Sequence, residues 1–110
     1  MDATPMHTVL VLEDNRETRQ WICETLRLHF QGAKALAAAT CAEAEALLAQ
    51  AAASGQSIDL ALIDINLPDG NGIDVIQTIA RNFPGTMPVV VTIFDDDQTL
   101  AVAVALRTAP

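Results

Sequence analysis

Three short runs along the chain are aliphatic on both faces, and each stops at a polar residue. TVLVL (8–12) precedes Glu13-Asp14, LALI (60–63) precedes Asp64, and PVVV (88–91) precedes Thr92. Unbroken apolar runs of this length mark strands buried on both sides of a parallel sheet. Between them the period changes. Ile22, Leu26 and Phe30 recur at i, i+4 and i+8, which predicts a helix over 17–30 with Asn15 as N-cap and Gly32 as its stop. Thr40 and Glu43 form an S/T-x-x-E capping box ahead of an alanine-rich helix, whose buried stripe is Ala44, Leu47, Leu48 and Ala51 and whose stop is Ser54-Gly55. Ile76, Ile79, Ala80 and Phe83 predict a third helix over 72–83.

Two stretches are less clear. Residues 35–39 are placed as a strand mainly because something must connect two helices. Residues 100–106 (LAVAVAL) alternate valine and leucine with alanine at period two. Their alanine content and their place after Asp95–Asp97, carboxylates suited to a helix N-terminus, favour a fourth helix. The order β-α-β-α-β-α-β-α implies an α/β fold, with helices on both faces of a doubly wound parallel sheet.

At 110 residues, with 51% hydrophobic positions and 4% aromatic ones, the chain fits one domain (1–110) with an aliphatic core. Residues 1–6 read as a frayed terminus. The net charge of −8, with six basic residues against 14 acidic, argues against nucleic-acid binding by this chain. No signal peptide or membrane-spanning run is visible, so the expected location is the cytoplasm. Cys23 and Cys41 are too far apart for a CxxC motif and read as reduced, half-buried thiols. His7 and His29 have no partner ligands at useful spacing and read as surface residues.

The candidate chemistry lies at the strand ends. In an open parallel sheet, ligands bind beyond the carboxyl ends of the strands, where the strand order reverses. In the order 2-1-3-4, Glu13, Asp14 and Asp64 converge there. Two carboxylates roughly 5 Å apart repel by roughly 3 kcal/mol at an effective dielectric of about 20. Three of them must take up protons or hold a cation, and Mg²⁺ suits an oxygen-ligand site that a phosphate completes. A carboxylate beside Mg²⁺ can attack phosphorus, and the Thr92 hydroxyl can donate to a phosphoryl oxygen. Capping alone accounts for Asp69, Gly70, Asn71 and Asp95–Asp97. It does not account for two buried strands ending in acid and a third ending in threonine.

VLVLEDN, LALIDINLPDGNGID and PVVVTIFDDD together resemble the receiver domain of bacterial two-component response regulators, with D-x-x-L-P-D-x-x-G intact at 64–72. The resemblance implies a flavodoxin-like sheet of order 2-1-3-4-5. It implies Asp64 as phosphoacceptor, and Mg²⁺ bound by Glu13, Asp14, Asp64 and the backbone carbonyl of Asn66. Thr92 would be the phosphoryl-sensing hydroxyl. A sensor histidine kinase or phosphotransfer protein would be the donor, and the domain would relay the signal to an output domain or partner.

The resemblance implies a self-phosphorylating switch rather than a turnover enzyme. Two other readings stay open: a degenerate receiver that binds partners without phosphorylation, and an Asp-nucleophile phosphatase of haloacid dehalogenase type. The second of these wants another acid two residues on, where Asn66 stands.

The chain also departs from the family pattern. The family's lysine and aromatic residue on a fifth strand find no counterpart before Pro110, and Lys34 is no substitute. The expectation is that the fifth strand, its helix and any output domain, including a DNA-binding one, lie beyond Pro110; native incompleteness is the alternative. An uncovered fourth-strand edge beside the last helix then predicts a homodimer. Ile93, where the family carries a small residue, predicts narrowed access to the phosphosite.

Overall fold

The structure, a computed structural model, describes residues 8–94 and 99–104. In chain order the elements are β1 (Thr8–Leu12), α1 (Arg16–His29), β2 (Lys34–Ala38), α2 (Cys41–Ser54) and β3 (Leu60–Ile63). There follow β4 (Asn66–Leu67), β5 (Gly70–Asn71), α3 (Gly72–Asn82), β6 (Met87–Phe94) and β7 (Thr99–Val104). The main sheet has the order β2-β1-β3-β6-β7, and β4 and β5 form a small separate hairpin. β1 pairs in parallel with β2 and β3, and β3 with β6. The predicted parallel α/β sheet and its strand order are thus present.

The side chains of the apolar strands divide by parity. Leu10, Leu12, Ala61 and Ile63 face α2 and α3, where Ala44, Leu48, Ala51, Val75 and Ile79 complete one core cluster. Val9, Val11, Val89 and Val91 face α1, where Ile22 and Leu26 complete the second. Burial on both faces is why these strands carry no polar alternation. The α1 side is the thinner: Leu60 and Leu62 pack against it half-buried.

The caps match the sequence. Asn15 accepts from the Thr18 amide at 2.9 Å and opens α1. Thr40 accepts from the Glu43 amide at 3.1 Å, and Glu43 reaches back to accept from the Ala39 amide at 2.7 Å. Gly55 ends α2 in the left-handed region at φ 75°, a conformation that glycine adopts without a Cβ penalty. Cys23 and Cys41 are free thiols of intermediate exposure, and His29 is exposed, as expected.

Five expectations need correction. Phe30 is not part of the buried α1 stripe; it is 55% exposed beyond the end of the helix. In α3 the fully buried positions are Val75 and Ile79, while Ala80 is exposed and Ile76 and Phe83 are half-buried. The expected fourth helix is a strand: Thr99–Val104 pairs antiparallel with β6, from Val89↔Val104 to Phe94↔Thr99. The alternation of valine with alanine has prevailed over alanine's helix propensity, because pairing satisfies the backbone groups along β6. That pairing also removes the uncovered β6 edge on which the expected homodimer rested, and the sheet has its fifth strand within the chain, antiparallel rather than parallel. Residues 1–6, expected to be a frayed terminus, and His7 and Asp95–Asp97 lie outside the described residues.

Candidate functional site

The acidic residues meet where β1 and β3 end side by side. The Asp64 amide donates to the Leu12 carbonyl at 2.9 Å, and the Glu13 amide donates to the Ala38 carbonyl at 3.0 Å. These two bonds carry the sheet ladder one residue past each strand and fix the backbone beneath the acids. Carboxylate oxygens of Glu13, Asp14 and Asp64 all lie within 4.8 Å of one another. Burial is graded: Glu13 is 7% exposed, Asp64 is half-buried and Asp14 is exposed. The site therefore has a deep carboxylate, a middle one and a solvent-facing one.

Glu13 feels the crowding most. Desolvation by burial raises its pKa from 4.5 to about 7. The neighbouring charges of Asp64 and Asp14 push the same way, while the Asn15 amide, donating to its Oε2 at 3.0 Å, opposes them. Arg19, one turn into α1, donates from Nη1 to the backbone carbonyls of Glu13 at 2.9 Å and Asp14 at 3.4 Å. It braces the acidic turn from behind. Sequence reasoning missed Arg19; its one signal was its place four residues after the Asn15 cap, where the first helical turn brings it back toward the strand end.

The loop after Asp64 is tightly held. β4 and β5 pair as Asn66↔Asn71 and Leu67↔Gly70, with Pro68-Asp69 as the turn. Gly72 follows directly, and its amide donates to the Ile65 carbonyl at 2.9 Å. A Cβ on Gly72 would collide with the Asp64 carbonyl oxygen and lie 2.7 Å from Ile63 Cγ2. The glycine of the D-x-x-L-P-D-x-x-G pattern is thus explained by backbone approach. Asn71 caps α3 by accepting from the Ile73 amide at 2.8 Å. Asp69 caps a different helix: its Oδ1 accepts from the Cys41 amide at 2.8 Å and its Oδ2 from the Ala42 amide at 3.1 Å, both at the start of α2.

Asn66 lies on β4, two residues after Asp64, and Thr92 lies on β6, the strand beside β3. For these two residues and Ile93 the backbone alone is described, so the expected role of the Thr92 hydroxyl and the narrowing by Ile93 fall outside the described side chains.

The donor set fits a hard divalent cation. Three carboxylates crowd one point, one is buried enough to hold its proton near neutrality, and the arginine beside them bonds to backbone carbonyls. Receiver domains in general bind Mg²⁺ at such an acidic cluster.

The comparisons with known proteins agree with this geometry. The family model described as the response regulator receiver domain matches residues 9–108. The MaeR response regulator bound to beryllium trifluoride is 28% identical, with a TM-score of 0.69 over 84% of this chain and 71% of that one. The signal receiver domain of an HD domain-containing protein from Pseudomonas fluorescens Pf-5 has the same fold, with a TM-score of 0.71 over 87% of this chain and 65% of that one at 20% identity. A curated relative, a cyclic di-GMP phosphodiesterase from Thermotoga maritima, is 32% identical over 91 residues, which are 83% of this chain and 22% of that protein. The chain thus spans about a fifth of that relative's length. A parallel sheet of receiver order, an acidic triad at its switch point and a family match over nearly the whole length lead to one conclusion: the chain belongs to the response regulator receiver domain family, whose role is phosphoacceptor signalling.

Proposed function

We propose that this domain is a phosphorylation-dependent switch that accepts a phosphoryl group on Asp64 from a histidine kinase or phosphotransfer protein. The observation that carries the reading is the convergence of Glu13, Asp14 and Asp64 within 4.8 Å at the ends of β1 and β3. Glu13, Asp14 and Asp64, with the backbone carbonyl of Asn66, would hold Mg²⁺. When bound, the ion would neutralise charge between the attacking carboxylate and the phosphoryl oxygens.

The protein's own part is positional. β3 presents Asp64 at a fixed strand end, Gly72 closes the loop behind it, and Arg19 steadies the carbonyls of the acidic turn. An Asp64 carboxylate oxygen forms the new P–O bond as the P–N bond of the phosphohistidine donor breaks, and the imidazole leaves with the bonding pair. The Thr92 hydroxyl, on the neighbouring strand, would meet the phosphoryl oxygens and bias a two-state equilibrium.

The output is an effector, attached or separate. The likeness to a cyclic di-GMP phosphodiesterase makes an enzymatic effector a natural candidate, and transcription is another process such a switch can govern. No helix among the described residues is long and apolar enough to cross a membrane, and the proposed place of action is the cytoplasm.

Incubation with Mg²⁺ and acetyl phosphate, followed by intact mass, tests the reading. A single phosphoryl adduct that is lost in Asp64→Ala is expected. No adduct would favour a phosphorylation-independent binding module, and multiple turnover of a phosphoester would favour a phosphatase.

A further inference from the structure

Asp69 is read from sequence as a local turn former, yet its carboxylate bonds to residues 27 and 28 positions earlier. It stands in the two-residue turn of the β4–β5 hairpin, the segment that begins two residues after Asp64. The base of this hairpin is fixed: Leu67 is buried in the core cluster, and Gly72 abuts the Asp64 backbone. Its tip projects, with Pro68, Asp69, Gly70 and Asn71 all exposed. Among the described residues, the side chain that ties the tip to another segment is that of Asp69, which accepts from the Cys41 and Ala42 amides.

We propose that Asp69 is a positioning residue for the metal site: by bridging the hairpin tip to the start of α2, it fixes the hairpin and so the Asn66 carbonyl that would complete the ion's ligands. The inference rests on the reading of Glu13, Asp14, Asp64 and Asn66 as the Mg²⁺ ligands.

Three observations support it. The bridge is bidentate, one oxygen to each amide, so it fixes orientation as well as distance. The two amides hold the Asp69 carboxyl below its ordinary pKa, which favours the charged form that accepts both bonds. And α2 has its own N-cap, since Thr40 already accepts from the Glu43 amide. The Asp69 bonds therefore add a link between two segments to a helix that is already capped. A hairpin held at its base alone can pivot, and a pivot moves Asn66 relative to the two strand ends that carry the acids. Partners one step removed from a metal typically change its affinity by about ten- to a hundredfold.

The test compares Asp69→Ala, Asp69→Asn and Thr40→Ala with the wild-type domain, by Mg²⁺ calorimetry and denaturant melts. Asp69→Ala is expected to weaken Mg²⁺ binding by about tenfold, the lower end of that range. Asp69→Asn keeps one acceptor oxygen and is expected to lose about two- to threefold, a partial rescue that falls below that range. Thr40→Ala removes a cap from the same helix without touching the hairpin; it is expected to lower stability and leave the Mg²⁺ dissociation constant unchanged. Equal Mg²⁺ affinity in the wild type and both Asp69 variants would overturn the inference, as would a Thr40→Ala loss equal to that of Asp69→Ala, which would trace the effect to α2 stability alone. Should Asp69→Ala fail to fold, Asp69→Asn decides by the same criterion. A wild-type domain that takes up no Mg²⁺ would instead overturn the reading of the acidic cluster and the inference with it.

Discussion

Gly72 and Asp64 are eight positions apart in sequence and in backbone contact in space: a single methyl on Gly72 would collide with the Asp64 carbonyl oxygen. The turn that follows β3 closes because one residue has no side chain. Replacing it by Ala offers no easy escape, since the neighbour on one side is backbone and on the other the fully buried Ile63. Gly72→Ala is expected to destabilise the domain by about 2–3 kcal/mol, the upper part of the range for overpacking. Urea melts check this. A loss below about 0.5 kcal/mol, the scale of an ordinary surface change, would mean that the loop relaxes freely.

The raised pKa of Glu13 gives stability a pH dependence of unusual sign for a carboxyl. The folded chain holds this proton up to about 7, whereas an ordinary glutamate releases it near 4.5. Between those values the unfolded chain is ionised and the folded chain is not, so metal-free stability falls as pH rises through that window and levels off above it. The full contribution is at most about 3 kcal/mol. Glu13→Gln cannot ionise, so in metal-free buffer it is expected to exceed the wild type in stability at pH 7.5 and to converge with it near pH 4.5. Denaturant melts across that range, with and without Mg²⁺, provide the check; Mg²⁺ is expected to stabilise the wild type more than the variant.

Asn15 caps α1 and also donates its amide to Glu13. Asn15→Ala removes the side-chain cap and leaves the amide. A loss of about 1 kcal/mol is expected, the usual value for an N-cap. The phosphorylation rate with acetyl phosphate should hold, because the bond to Glu13 comes from the backbone. A large fall in rate with little change in stability would show that the side chain has a role at the site.

Ile79 is fully buried on α3, against the same face of the sheet as Leu10 and Ile63. Ile79→Ala is expected to cost about 2–5 kcal/mol in chemical denaturation, the range for large-to-small core changes. Ala80, its exposed neighbour, is expected to tolerate Ser within about 0.5 kcal/mol. The contrast checks which face of α3 is buried.

Much of the fold was legible because period and punctuation agreed. The strand runs 8–12 and 60–63 have no polar alternation because both of their faces are covered, and Asn15, Thr40 and Gly55 stand where caps form. Phe30 failed the stripe because helix α1 ends at His29, so its period no longer applied. Ala80 was misread because alanine marks a helix well and a face poorly. Residues 99–104 went wrong for a physical reason: local propensity favoured helix, while a long neighbouring strand, Met87–Phe94, offered a ladder that only tertiary structure reveals. At the site, Glu13, Asp14 and Asp64 could be read from the strand ends, since side-by-side parallel strands bring their ends together. The bracing by Arg19 and the reach of Asp69 to α2 could not, because both depend on how separate segments dock.

The contact between α1 and the acidic turn reaches beyond the cap itself. Asn15, the first residue of the helical cap, donates to Glu13, and Arg19 holds the carbonyls on either side of the Glu13–Asp14 junction. Ligation of Glu13 would therefore be felt along α1, the helix that covers the Val9 and Val11 face of the sheet among the described residues. The exchange of α1 amide protons with solvent becomes a natural reporter of site occupancy. A cation bound at the strand ends would be read as slower breathing of a helix that never touches it.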